Sequence, residues 1–306
     1  MFLFAKGISS MVNTKTVRQK KDDKWLSVAF LFPIFVLIVC ITLIPIIIAF
    51  RTSLFETQYA ETVKFVGLQN YISIFKTSEG WIRILNSIGY VLLSIVIVIP
   101  LGVGVGTLLN RKIGCRGLLR TVIILPWVLS QTVAALLWKW MLNSNFGLVT
   151  YFIEQITGVR VDFINSPGAA RATVIFANVW NSFPIVLILT LAALQTIPKE
   201  IYEAARVDGA GGWRTFRSIT LPMIQPTIKT AVLMESIEYF NMVTLIYVMT
   251  AGGPFDATKT ISVAAFQEGF DFWHIGIGSS YSIVIFLLNI IFSIFYMKLL
   301  RSHDEA

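Results

Sequence analysis

Six long apolar runs set the limits on how this chain can fold. They span approximately residues 26–50, 86–109, 121–142, 172–194, 227–250 and 276–299. Each run matches the roughly 20 apolar residues that an α-helix needs to cross a bilayer. The chain is 56% hydrophobic and only 14% charged, whereas a soluble domain is about a quarter charged. Because backbone groups inside a bilayer must bond to one another, we expect an all-α polytopic membrane protein with six transmembrane helices.

Lysine and arginine residues are concentrated in the segments before the first run and after the second, fourth and sixth runs. They are Lys6, Lys15, Arg18, Lys20, Lys21, Lys24, Arg111, Lys112, Arg116, Arg120, Lys199, Arg206, Arg214, Arg217, Lys229, Lys298 and Arg301. In a six-span chain these segments share one side, and basic loops stay in the cytoplasm. Both termini and the loop 195–226 are therefore predicted to be cytoplasmic. The chain then divides into a cytoplasmic segment 1–25, a membrane domain 26–300 and a cytoplasmic tail 301–306.

The loop 195–226 is a polar, glycine-punctuated island between the fourth and fifth runs. Pro198 suits the first turn of a helix, and Glu203 lies near the start of that helix, where the dipole favours acids. Gly209 permits the left-handed backbone that ends a helix. A second short helix is expected over about 213–220, ending near Pro222. The loop is therefore predicted to be a helix–turn–helix outside the membrane.

The order and spacing of this loop match a known pattern. It reads EAARVDGAGGWRTFRSITLP over 203–222 and resembles the cytoplasmic "EAA" loop that docks binding-protein-dependent ABC importer permeases onto their ATPases. We call residues 195–226 the coupling loop. The resemblance implies that Ala204 and Ala205 offer a small-residue face to the partner. The residues it assigns to ATPase coupling are Glu203, Ala204, Ala205, Asp208, Gly209, Ile219, Leu221 and Pro222.

Other segments resemble the carbohydrate-uptake, MalF-like branch of this family, and the likeness covers roughly residues 25–300. They are FVGLQNYISIF (65–75), LPWVLSQTVAALLWKWM (125–141), WNSFPIVLILTLAALQTIPKEIYEAA (180–205) and YVMTAGGPFDATKT (247–260). The resemblance implies a permease subunit in a bacterial plasma membrane that moves a disaccharide, oligosaccharide or polyol inward by ATP-driven alternating access.

The same resemblance implies the partners. They are a second, MalG-like permease, two cytoplasmic ATPase subunits and an extracytoplasmic solute-binding protein. ATP and Mg²⁺ would be held by the ATPases, so no cofactor or metal is expected on this chain and it should hydrolyse nothing alone. The net charge of +8 follows from the basic cytoplasmic segments and requires no nucleic acid.

Polar residues inside the fourth and fifth runs are candidates for solute contact. They are Asn178, Asn181, Ser182, Glu235, Glu238, Tyr239 and Asn241. Charged groups at mid-membrane depth are costly and usually functional, and the family's solute contacts fall in these two segments. Carboxylate and amide oxygens accept from sugar hydroxyls. The sequence departs from the maltose protein at Ile185, where that protein has an aromatic residue. Alternatively, these polar groups bridge helices within the bundle.

Three further local features carry predictions. Gly102 and Gly106 form a GxxxG step, which lets a second helix approach closely. The outer loops 51–85 and 143–171 are expected to hold short interfacial helices, the second with Phe146, Tyr151 and Phe152 as anchors. The Gly-Gly-Pro at 252–254 is expected to form a turn that ends the fifth span.

The residues by themselves also allow functions other than a sugar importer. An ion-coupled secondary transporter could use Glu235 and Glu238 as its ion site, although that would leave the coupling loop unexplained. An importer for glycerol phosphate is another alternative, which two buried acids disfavour. A membrane enzyme is disfavoured because the two histidines, His274 and His303, lie far apart in sequence and no Walker A motif or nucleophile elbow occurs.

Overall fold

The computed structural model describes residue 25 and residues 28–59, 61–111 and 114–304, without the side chains of residues 116 and 299–304. The predicted cytoplasmic segment 1–25 lies outside these ranges apart from its last residue. The chain divides into two units, Met1–Thr52 and Ser53–Ala306, and each is described separately.

The helices of the described residues are α1 (Val28–Ser53), α2 (Gln69–Lys76), α3 (Ser78–Asn110), α4 (Arg116–Val128), α5 (Gln131–Met141), α6 (Leu148–Thr157), α7 (Pro167–Gln195), α8 (Lys199–Val207), α9 (Gly212–Phe240), α10 (Thr244–Thr250), α11 (Ile261–Phe266) and α12 (Ile275–Asp304). Strands β1 (Phe55–Gln58) and β2 (Glu61–Phe65) form one antiparallel hairpin. The protein is thus mostly helical, as the apolar runs predict.

The six predicted spans differ in how straight they are. Four helices, α1, α3, α7 and α12, are long and apolar enough to cross a membrane singly. The third and fifth spans are instead bent pairs, α4 with α5 at 97° and α9 with α10 at 47°. The six predicted spans therefore correspond to four single helices and two bent pairs, each pair counted as one span.

Local sequence explains both breaks. Between α4 and α5, Leu129 is extended (φ −71°, ψ 138°), and the Ser130 hydroxyl accepts the Val133 N–H at 3.3 Å to start a new helix. Between α9 and α10, the Asn241 amide donates to the Ile237 carbonyl at 2.7 Å. Such side chain–backbone bonds at a helix end offer the chain an alternative to further helical bonding.

The α3–α7 pair forms the centre of the second unit. A Cβ added to Gly102 would lie 2.6 Å from the Val186 Cβ, and one added to Gly106 would lie 3.0 Å from Thr190. Both contacts have the same sequence offset, so the two helices run parallel and in register. The predicted role of this GxxxG step in close helix packing is confirmed.

The first outer loop contains more structure than the sequence predicts. Its expected short helix is present as α2, but the preceding hairpin β1–β2 was not predicted. The hairpin is held to the start of α12, because the Gly276 N–H donates to the Thr57 hydroxyl at 2.8 Å. A Cβ at Gly276 would lie 2.1 Å from the Phe55 carbonyl oxygen, so only glycine fits there.

The second outer loop contains a short helix, and the Gly-Gly-Pro segment forms a turn, both as expected. Helix α6 lies in the second loop, and Phe146, Tyr151 and Phe152 are exposed there. At the end of α10, Gly252 takes a φ of 88°, and the Thr258 hydroxyl donates to the Gly253 carbonyl at 2.8 Å. The predicted turn at the end of the fifth span is therefore confirmed.

Candidate functional site

The coupling loop turns sharply at Gly209. Helix α8 ends at Val207, and Gly209 has a φ of 73°. The Ala210 N–H donates to the Ala205 carbonyl at 2.9 Å, and the Gly209 N–H donates to the Arg206 carbonyl at 3.0 Å. These two bonds define a Schellman motif, which satisfies carbonyls at the helix end and favours glycine at its left-handed position. The left-handed turn predicted at Gly209 is confirmed.

The second half of the loop differs from expectation. The predicted helix over 213–220 does not end near Pro222, because α9 runs from Gly212 to Phe240 without interruption. A π-helical turn over Phe216–Thr220 explains this, since the Leu221 N–H bonds to the Phe216 carbonyl five residues back. This wider turn takes up the proline that follows it, which has no N–H and would clash in a regular helix interior.

One face of the coupling loop packs on the membrane bundle. Ile201, Tyr202 and Phe216 contact an apolar cluster that includes Leu194 and Ile224. The Tyr202 and Thr220 hydroxyls lie 3.3 Å apart and link α8 to α9. The loop is therefore seated on the ends of the helices it connects.

The opposite face of the coupling loop carries most of the predicted coupling residues. Glu203, Ala204, Asp208, Gly209 and Pro222 are exposed, and Ile219 and Leu221 are half-buried. Ala205 is only 5% exposed and faces the bundle, so the expected small-residue face consists of Ala204 alone.

Two large apolar residues on the coupling loop were not predicted as part of the site. Val207 is 88% exposed and Trp213 is 73% exposed. They lie on either side of the turn at Gly209. An exposed tryptophan beside a sharp turn is a signal for a partner surface, and the sequence contained it.

A second group of residues lies inside the bundle. The Ser182 hydroxyl donates to the Asn178 carbonyl at 2.9 Å. The Tyr239 hydroxyl lies 2.6 Å from the Ser182 hydroxyl. This contact joins α7 to α9. The Tyr90 ring meets the Tyr239 ring edge-on at 6.2 Å between centroids, so α3 also reaches the group. Glu235 lies one turn before Tyr239 and is only 4% exposed.

Several atoms of this group lack hydrogen-bond partners among the described residues. They are the Tyr90 hydroxyl, the Ser94 hydroxyl, Asn178 Nδ2 and Glu235 Oε2. The register of α3 against α7 places Ser94 level with Asn178. Buried polar atoms in native proteins are almost always bonded, so these atoms have hydrogen-bonding capacity that no described residue uses. We call Tyr90, Ser94, Asn178, Ser182, Glu235 and Tyr239 the polar cluster.

The other predicted solute residues form hydrogen bonds outside the polar cluster. Asn181 donates to the Pro126 carbonyl at 2.6 Å and so bridges α7 to α4. Glu238 is exposed and faces the Gln131 amide at 3.4 Å. Asn241 is exposed and bonds its own helix at the Ile237 carbonyl. The structure therefore brings together Asn178, Ser182, Glu235 and Tyr239 of the predicted set.

The polar cluster also contains two α3 residues that sequence analysis missed, Tyr90 and Ser94. They are four residues apart and thus share one face of α3. Polar residues at helical spacing inside an apolar run were the available signal. Among the described residues, no group of three or more His, Cys, Asp or Glu side chains is placed to hold a metal ion.

Comparison with known proteins places the chain in a family. The family model described as "Binding-protein-dependent transport system inner membrane component" matches residues 7–302. The chain belongs to this family. It is the permease component of an ABC importer in the membrane, as the coupling-loop motif predicts.

Similar proteins match the chain along about nine tenths of their lengths or more. The trehalose/maltose transport system permease protein MalF of Thermococcus litoralis is 31% identical over 292 residues, covering 95% of this chain and 99% of that protein. The sulfoquinovosyl glycerol permease protein SmoG of Agrobacterium fabrum is 29% identical over 284 residues, covering 92% of each. The trehalose permease protein SugA of Mycobacterium tuberculosis is 28% identical over 279 residues, covering 90% of this chain and 89% of that protein.

A solved structure shares the fold. One chain of a bacterial ABC transporter involved in the import of the acidic polysaccharide alginate superposes with a TM-score of 0.77. Its sequence identity is 24%, and the match covers 93% of this chain and 99% of that one. The fold of this chain, with its bent third and fifth spans, therefore has a counterpart among solved importer structures.

Proposed function

We propose that this importer subunit moves a sugar, either a disaccharide or oligosaccharide or a polyol, inward by ATP-driven alternating access. The polar cluster carries the proposal, because it presents hydroxyl, amide and carboxylate groups with unused hydrogen-bonding capacity inside a membrane bundle. Sugars present many hydroxyls that such groups bind. Relatives named for trehalose, maltose and sulfoquinovosyl glycerol support the same solute class.

The cluster residues Asn178, Ser182, Glu235 and Tyr239 are the first candidates for solute contact. Asn181, Glu238 and Asn241 remain candidates for a state of the transporter in which the broken spans have moved. In the described state, Asn181 bridges α7 and α4, which agrees with the alternative that this polar residue joins helices within the bundle.

The coupling loop is proposed to dock an ATPase subunit in the cytoplasm. Glu203, Ala204, Asp208 and Gly209 would form the docking surface, since they are exposed. The other predicted coupling residues would stabilise the conformation of the loop, since they lie against the bundle or around the end of the π-helical turn in α9. They are Ala205, Ile219, Leu221 and Pro222. Exposed Val207 and Trp213 join the docking surface.

The complete importer is proposed to contain a second, similar permease, two ATPase subunits with ATP and Mg²⁺, and a solute-binding protein outside the cell. Both termini and residues 195–226 would then face the cytoplasm. A solved relative in complex with a substrate-bound periplasmic protein supports the last of these partners. ATP hydrolysis would belong to the ATPase subunits alone.

Two other functions are less consistent with the geometry. An ion-coupled carrier would need Glu235 and Glu238 to converge, but the first is buried and the second is exposed. A glycerol phosphate importer would have to bring an anion beside Glu235, where the cluster supplies no cationic side chain.

Uptake in membrane vesicles tests the proposed function. The chain would be co-expressed with the proteins encoded beside it, and labelled disaccharides, polyols and glycerol phosphate would be offered. We expect uptake of one neutral sugar or polyol that requires both ATP and a binding protein. Uptake that follows an ion gradient without ATP would exclude the proposal.

A further inference from the structure

A polar cleft lies between the coupling loop and the end of α3. It has a volume of about 400 Å³, room for roughly a dozen water-sized groups. Its polar lining comes from the end of α3, from α8 and from the start of α9. We call it the basic cleft and define it by Asn110, Arg111, Tyr202, Arg206, Thr215 and Thr220.

The charge of the basic cleft has one sign. Arg111 and Arg206 contribute two guanidinium groups, and no Asp or Glu lines the cleft. Among the described residues, neither arginine has an ion-pair partner. Arginine binds phosphate with paired N–H donors in a fixed fork, and the Asn110 amide adds a donor. The site is therefore suited to a phosphate group.

The position of the basic cleft indicates where that phosphate comes from. The apolar helix α3 ends at Asn110, and α7 ends at Gln195, so the cleft lies where two spans leave the bilayer. Long arginine side chains at such ends reach the headgroup layer. The cytoplasmic leaflet carries anionic lipids that basic segments attract.

We propose that the basic cleft binds the phosphate of an anionic phospholipid such as phosphatidylglycerol. The proposal rests on the cytoplasmic placement of the coupling loop given above. Arg111 belongs to the bundle side and Arg206 to the coupling loop, so one phosphate between them links the two. The lipid thereby holds the loop on the helix ends and keeps its docking surface in position.

Retention of lipid by the purified importer tests the proposal directly. The complex would be extracted, placed in phosphatidylcholine bilayers with or without phosphatidylglycerol, and examined by native mass spectrometry and thermal unfolding. We expect the complex to retain phosphatidylglycerol and to gain thermal stability from it. The double variant Arg111→Gln/Arg206→Gln should bind it at least about tenfold more weakly, since each charge-assisted bond is worth about 1.4 kcal/mol or more.

A matched double variant separates the cleft from general surface charge. Arg214→Gln/Arg217→Gln removes the same amount of charge, here entirely from the coupling loop and outside the cleft lining, and it should retain phosphatidylglycerol normally. Equal losses in both variants would overturn the proposal. Lipid retention is measured without transport, so failure of the sugar-uptake experiment would not affect it.

Two further arms identify the occupant. Inorganic phosphate added in detergent should stabilise the complex far less than phosphatidylglycerol does; equal stabilisation would show that a soluble anion is the ligand and would overturn the lipid. Loss of the ATPases from the cleft variant with lipid retention unchanged would assign the two arginines to an acidic surface of the ATPase and would likewise overturn the proposal.

Discussion

Gly209 carries a backbone requirement that few other residues of the coupling loop share. Its φ of 73° is left-handed, and open space surrounds the position of a Cβ. A side chain there therefore costs only backbone strain, about 1–2 kcal/mol. We expect Gly209→Ala to lower the amount of transport per ATP hydrolysed, and Gly209→Val to do so more strongly, with membrane insertion intact. The measurement is the ratio of uptake to ATP hydrolysis in vesicles.

Two glycines serve as controls for Gly209. Gly211 has a φ of −67° and open space at its Cβ position, so Gly211→Ala should couple normally. Gly158 has a φ of 69° in the second outer loop, so Gly158→Ala introduces the same strain away from the coupling loop and should also couple normally. Normal coupling in Gly209→Val would contradict the docking assignment.

Asn178 tests the polar cluster at the same scale. Its side chain is only 1% exposed, and its Nδ2 has no partner among the described residues. If a sugar hydroxyl uses this donor, Asn178→Ala should raise the KM for uptake about tenfold, the equivalent of one hydrogen bond of about 1.4 kcal/mol. The ATPases should remain bound.

Asn289 provides the comparison for Asn178. It is a half-buried asparagine in α12 that bonds its own helix at the Ile285 carbonyl, 3.0 Å away, and it lies outside the cluster. Asn289→Ala should leave the KM unchanged. An unchanged KM in Asn178→Ala as well would assign Asn178 to packing.

At the scale of single elements, the close contact between α3 and α7 depends on Gly102, which has no side chain. We expect Gly102→Ala to destabilise the protein by about 1–3 kcal/mol, because its Cβ would lie 2.6 Å from Val186 and overpacking costs about that much. Gly104→Ala on the same helix meets nothing within 4 Å and should be neutral. Thermal unfolding in detergent compares the two, and equal losses would contradict the packing role.

The elements also show what the sequence could predict. Helical spans follow from apolar length alone, and the turn at Gly209 follows from local backbone chemistry, so both were predicted. The hairpin β1–β2 was missed because its position depends on a remote contact, the close approach of Gly276 to Phe55. The bend between α4 and α5 was missed because apolar length does not reveal where Ser130 caps a new helix. Tyr90 and Ser94 joined the polar cluster only through the register of two helices.

At the scale of the whole molecule, two polar regions lie at different levels of one bundle. The polar cluster joins α3, α7 and α9, and the coupling loop connects the ends of α7 and α9. A movement of the loop would therefore act on Ser182 and Tyr239 through the same two helices. If the ATPases move the loop as proposed, these two helices are a direct mechanical route to the proposed solute site.

The exposed apolar residues of the coupling loop are expected to contact the ATPase subunit. Trp213 is 73% exposed, and a tryptophan in a partner pocket commonly contributes about 2 kcal/mol or more to binding. We expect Trp213→Ala to weaken retention of the ATPases at least about tenfold while solute specificity stays the same. Co-purification at several salt concentrations measures this, since an apolar contact should be insensitive to salt.

Phe255→Ala, which removes a side chain that is 93% exposed on the turn after α10, should retain the ATPases fully because that turn lies at the opposite end of the bundle from the coupling loop. If both variants kept their ATPases, the docking surface would have to lie elsewhere on the chain.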